Sequence, residues 1–119
     1  MTDTKFLATL LDSLKDPFLF ANTDHIICYM NAAAIAHYKE GAALLGRSVL
    51  DCHNEESRRQ MIEILEAMRA GEEERLITDS EKYRIYMRAV RDPDGRLLGY
   101  YERYEPPTRV SSPATDTAD

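Results

Sequence analysis

The sequence predicts a single α+β domain, and three observations carry the prediction. A leucine stripe with helical spacing opens the chain, two short runs of aromatic and β-branched residues follow it, and after one long helix the last third returns to strand-like patterning. A length of 119 residues suits one domain with a modest core, and 44% apolar with 30% charged residues is the composition of an ordinary globular chain.

Phe6, Leu7, Leu10, Leu11 and Leu14 fall on one helical face, and Asp16-Pro17 stops the helix because the residue before proline is pushed out of the helical region, so a helix is expected over about 3–15. PFLFA and HIICYM read as two short strands joined by a turn at Asn22-Thr23-Asp24. Asn31 then caps a helix built on AAAIAHY, which Gly41 can end in a left-handed conformation. Residues 41–53 suggest short helical turns. From Asn54 a firmer helix begins, with Glu55 and Glu56 in its first turn where the helix dipole favours negative charge, and with Met61, Ile64, Leu65 and Met68 on one face up to Gly71.

ERLIT, YRIYMRAVR and RLLGYYERY are the remaining strands, the last two joined by Asp92-Pro93-Asp94-Gly95, a turn with proline second and glycine fourth. Pairing Asp92 with Gly95 puts Tyr83, Ile85, Met87 and Ala89 on one face with Leu98, Tyr100, Glu102 and Tyr104. Arg84, Tyr86, Arg88, Tyr101 and Arg103 take the other face, either as a solvated surface ion-paired with the many glutamates or as the border of a docking surface. Residues 1–105 form the expected domain, and 106–119, rich in proline with nothing to bury, read as a disordered tail.

A net charge of -6 offers no basic stripe for nucleic acid, and no apolar run approaches the ~20 residues of a membrane span. The N-terminal MTDTKFLATL lacks a signal-peptide layout, so a cytoplasmic location is expected. Cys28 and Cys52 are too few and too far apart for a disulfide framework.

The element order, Asn31 with its alanines after the second strand, Leu45-Gly46-Arg47 and RDPDGRLLGY together resemble a PAS domain over roughly residues 4–105. The stretch DCHNEES before a helix, with a Tyr/Arg-rich final hairpin, is most similar to a PAS subgroup found alone or at the end of longer proteins. The resemblance implies a PAS-like fold: a five-stranded antiparallel sheet with short helices on one face and an N-terminal amphipathic helix. Its concave side would hold a ligand or simply a core. Many PAS domains pair through an N-terminal helix laid on the sheet's outer face, so the resemblance implies a homodimer through Phe6, Leu7, Leu10, Leu11 and Leu14. The usual D-I-T exit into a signalling helix is replaced by RYEPP, and two prolines bar an immediate helical relay, leaving the surface or the N-terminal helix to carry the output.

The resemblance also bears on cofactors. The family's flavin photoreceptors carry a reactive cysteine two residues after a Gly-Arg pair, a slot filled here by Val49, which speaks against flavin. Haem ligation by His53, or by Cys52 as thiolate, is chemically open, but the family's haem sensors use a histidine in the long helix, where this chain has Arg59, Gln60 and Met61. No third ligand joins His25 and Cys28 at zinc-site spacing, and His37 reads as a surface residue. Adjacent Cys52 and His53 are not placed as nucleophile and base, and no nucleophile elbow or phosphate loop is present, so no catalytic residue is expected.

A small-molecule pocket remains. Its expected lining is Ile27, Tyr29, Cys52, Met61, Ile64, Met68, Ile85, Met87 and Tyr100, with His25, Ser48, His53, Glu102 and Tyr104 as polar groups. The same apolar residues would equally serve as a packed core. Glu102 tips the reading toward binding, because a carboxylate on an apolar face is costly unless paired, with His53, His25 or a ligand as its expected partner. The leading expectation is therefore a sensory module that binds a small molecule and signals through protein contacts. A ligand-free dimerisation module comes second and a haem or redox sensor third.

Overall fold

The computed structural model describes residues 3–107. In order they form helix α1 (Thr4–Asp12), strands β1 (Phe18–Asn22) and β2 (Ile27–Met30), helix α2 (Ala32–His37), two 3-10 turns (Gly41–Leu44 and Val49–Cys52), helix α3 (Glu55–Arg69), and strands β3 (Glu74–Asp79), β4 (Arg84–Arg91) and β5 (Leu97–Glu105). The side chain of Cys52 and residues 108–119 of the expected tail lie outside the described residues. The five strands make one antiparallel sheet in the order β2-β1-β5-β4-β3, so the first and last strands of the chain meet at its centre. The fold class read from the sequence is the one observed.

One side of the sheet is roofed by α2, the 3-10 turns and α3. The core lies between them, where Leu19, Ala21, Ile27, Met30, Met87 and Tyr100 meet Met61, Ile64, Leu65 and Met68 of α3. α3 starts where expected, with Asn54 Oδ1 accepting from the Ser57 N–H at 2.8 Å and two glutamates in the first turn.

Asn31 does more than cap α2. Completely buried, it accepts from Ala34 N–H at 2.8 Å and Phe18 N–H at 3.0 Å. Its amide also donates to the Leu11 and Asp16 carbonyls at 3.1 and 3.2 Å, tying α1, β1 and α2 together. α1 ends at Asp12, earlier than expected, because Ser13 Oγ donates to the Leu10 carbonyl at 2.6 Å and the chain turns before Asp16-Pro17.

Two one-residue bulges correct the expected faces. In β2, Phe20 pairs with Tyr29 but Ala21 pairs with Ile27, which leaves Cys28 unpaired and puts Ile27 and Tyr29 on opposite sides. Tyr29 therefore leaves the pocket side, and its hydroxyl donates to Asp12 Oδ1 at 3.2 Å beside α1. In β5, Val90 faces Gly99 but Arg91 faces Leu97, so Leu98 turns outward and Leu97 takes the core position. The Asp92–Gly95 turn itself forms as expected, with Gly95 N–H donating to the Asp92 carbonyl at 2.8 Å. His25, expected to open β2, instead lies in the preceding turn with φ of 64°.

Candidate functional site

The roof and the sheet do not close completely. Leu19 of β1, Ile27 of β2, Tyr38 just past α2, Leu44 and Val49 of the two 3-10 turns, and His53 surround a cavity of about 110 Å³. Each position follows from local structure. Leu19 and Ile27 point inward by strand alternation, and Ser48 Oγ starts the second 3-10 turn by accepting from Leu50 N–H at 3.1 Å, which presents Val49 to the interior. The walls are aliphatic except for one phenol and one imidazole. Burial lowers the pKa of His53, so this edge of the cavity is uncharged at neutral pH.

Polar groups sit behind the walls. Tyr38 and Tyr104 share a hydroxyl hydrogen bond at 2.8 Å, and burial above all pushes the Tyr104 phenol up to about 12. His25 Nδ1 and the Tyr100 hydroxyl are 2.8 Å apart. Burial lowers the His25 pKa, with Arg69 adding to the effect. Between Tyr100 and Tyr104 on β5 stands Glu102, flanked in register by Leu19 and Met87 and 3% exposed. Its Oε2 has no hydrogen-bond partner among the described residues, and burial raises the carboxyl to about 7. The expected pairing of Glu102 with His25 or His53 is not made, since His25 turns to Tyr100 instead.

The expected site residues thus divide. Ile27 and His53 line the cavity, and Tyr104 supports it through Tyr38. Met61, Ile64, Met68, Met87 and Tyr100 are buried and fill the core, which is the packing alternative for those five. Ile85 is half-buried opposite Tyr104. Ser48 borders an open surface groove, not the cavity, and Tyr29 faces α1. Leu19, Tyr38, Leu44 and Val49 were missed as a lining. Only Val49 carried a sequence signal, at the slot where flavin photoreceptors of the family place their thiol. Among the described residues no group of three or more His, Cys, Asp or Glu side chains could hold a metal, and no helix is long and apolar enough to cross a membrane.

The outer face is an ion-pair lattice. Arg103 bridges Glu74 at 2.9 Å and Glu105 at 2.7 Å, Arg84 reaches Glu105 at 3.1 Å, and Arg88 reaches Glu74 at 3.2 Å. The Arg103 guanidinium also lies 4.3 Å from the centre of the Tyr86 ring. The arginines read from the sequence are therefore matched by glutamates within the sheet.

Comparison with known proteins agrees with this architecture. A C-terminal domain from Streptococcus mutans superposes with a TM-score of 0.75 at 22% identity, covering 88% of this chain and 85% of that one. The PAS domain of BvgS from Bordetella pertussis gives 0.65 at 20% identity, covering 88% and 86%. The Aer2 receptor from Vibrio cholerae, described as a dual PAS-haem oxygen sensor, gives 0.57 at 18%, covering 76% and 92%. No curated protein matches the sequence. The PAS domain profile matches residues 7–105, nearly all of the folded part, and the chain belongs to the PAS domain family.

Proposed function

We propose that this chain is a sensory module whose concave-face cavity takes a small molecule and whose α1 passes the occupied state to a second copy of the chain. The largely aliphatic space among Leu19, Ile27, Leu44 and Val49 carries the reading, because such a space gains from any apolar group that fills it. α2 supplies a physical route outward. Tyr38 at its end is a cavity wall, while Asn31 and the Ala32 N–H at its start bond the last turn of α1 and the residues just after it, the latter through Asp12 Oδ1 at 2.8 Å.

The dimensions argue against haem and flavin. A cavity of about 110 Å³ is smaller than the ~150 Å³ apolar cavity that holds benzene, and α3 offers no axial histidine. The packing of Met61, Ile64, Met68, Met87 and Tyr100 favours, as a second reading, a ligand-free dimerisation module. Methyl NMR under xenon pressure separates the two. Shifts confined to Leu19, Ile27, Leu44 and Val49 are expected, and they should vanish when Val49→Phe fills the space. A spectrum indifferent to xenon would leave the module as scaffold only.

A further inference from the structure

An apolar cavity does not explain Glu102. The carboxyl is almost completely buried in the middle of β5, and a partnerless buried oxygen is a cost that methionine or leucine would avoid. The nearby hydroxyls are engaged with other groups, Tyr100 with His25 and Tyr104 with Tyr38. Leu19, the cross-strand neighbour of Glu102, is a cavity wall, and so is Tyr38, the partner of Tyr104 two residues along β5. Among the described residues, the orphaned carboxyl oxygen therefore belongs to the cross-strand neighbour of a cavity wall, with Leu19 between the two strands' common face and the apolar space.

Building on the cavity reading above, we propose that the ligand is a small amphiphile of roughly four or five non-hydrogen atoms whose hydrocarbon part fills the cavity and whose single hydrogen-bond-donating headgroup, a hydroxyl or an ammonium, is received by Glu102. A donor is the complement because Oε2 lacks one, and a carboxylate headgroup would set two like groups against each other in a low-dielectric interior. The apolar walls fix the length of the ligand, and Glu102 fixes its polarity.

The test is a methyl-NMR titration of the full chain at about pH 8, where Glu102 is mostly ionised, with n-butanol, n-butylammonium, butyrate and xenon. n-Butanol or n-butylammonium should bind about tenfold or more tighter than butyrate, the scale of one hydrogen bond to a charged or ionisable group. The tighter of the two names the headgroup. In Glu102→Leu the preference should fall below about threefold while xenon still enters. Glu102→Gln, which keeps the shape and adds a donor that butyrate can use, should narrow the gap if the leucine variant fails to fold. Equal binding of all three probes to the wild type, or a preference that survives both substitutions, overturns the donor assignment while leaving the cavity reading intact. Exclusion of xenon together with every other probe overturns both.

Discussion

Burial with one oxygen unpartnered raises the Glu102 carboxyl from an ordinary 4.5 to about 7, so between those values the unfolded chain releases a proton that the folded chain keeps. The contribution of Glu102 to stability should then fall as pH rises from 4.5 to about 7 and level off above it, by roughly 3 kcal/mol in all. His25 and His53 act in the opposite sense, since burial keeps them neutral in the fold and the unfolded chain takes up protons below 6.5. Both histidines are present in Glu102→Gln, so the difference between the two proteins isolates the carboxyl. Urea unfolding from about pH 5 to pH 8 should show the variant gaining on the wild type by about 1–3 kcal/mol as pH rises. Parallel curves would mean that Glu102 is satisfied in solution. Strand alternation alone flagged this residue, because it placed a carboxylate among apolar neighbours. Its lack of a partner was not legible, since that depends on the left-handed turn at His25 and on side chains converging from distant elements.

At the scale of elements, the β1–β5 pairing holds the sheet together by joining the N-terminal hairpin to the C-terminal one. Gly99 makes that approach possible. A Cβ there would collide with the Ala21 carbonyl and lie 2.8 Å from both the Asn22 Cα and the Phe20 ring, at a φ of 154° that side chains rarely adopt. Gly99→Ala should destabilise the chain by about 3 kcal/mol, because the obstruction is backbone that cannot move without breaking the ladder. Amide exchange would show the loss concentrated in β1 and β5, and an alanine variant with wild-type protection would refute the argument. The sequence read α3, the Asn31 cap of α2 and the Asp92–Gly95 turn because those signals are local. It missed the bulges at Cys28 and Leu98, which arise only from the pairing partner, and a one-residue slip there exchanged the faces of Tyr29 and Leu98.

Taken as a whole, the described part of the molecule leaves the apolar stripe of α1 without an internal use. No residue of α1 is buried, and Phe6, Leu7, Leu10 and Leu14 are 49%, 46%, 52% and 46% exposed. The helix is nevertheless held in place, because Asn31, Tyr29 and the Ala32 N–H bond its C-terminal end and the residues that follow. On the proposed reading, the stripe is covered by its own two-fold copy, with leucine meeting leucine. Lys5 and Asp12 offset each other within the helix, so little net charge opposes such a pairing. Sedimentation equilibrium should therefore find a dimer at micromolar concentrations. Leu10→Glu, which brings two carboxylates toward the axis, should weaken it about a hundredfold, the cost of burying charge without a partner. The fold should survive, because Leu10 makes no core contact, and Ile62→Glu, on the equally exposed flank of α3, should leave the dimer unchanged. A wild-type chain that sediments as a monomer, or a dimer indifferent to Leu10→Glu, would move the signal output away from α1 and onto the arginine-glutamate face of the sheet.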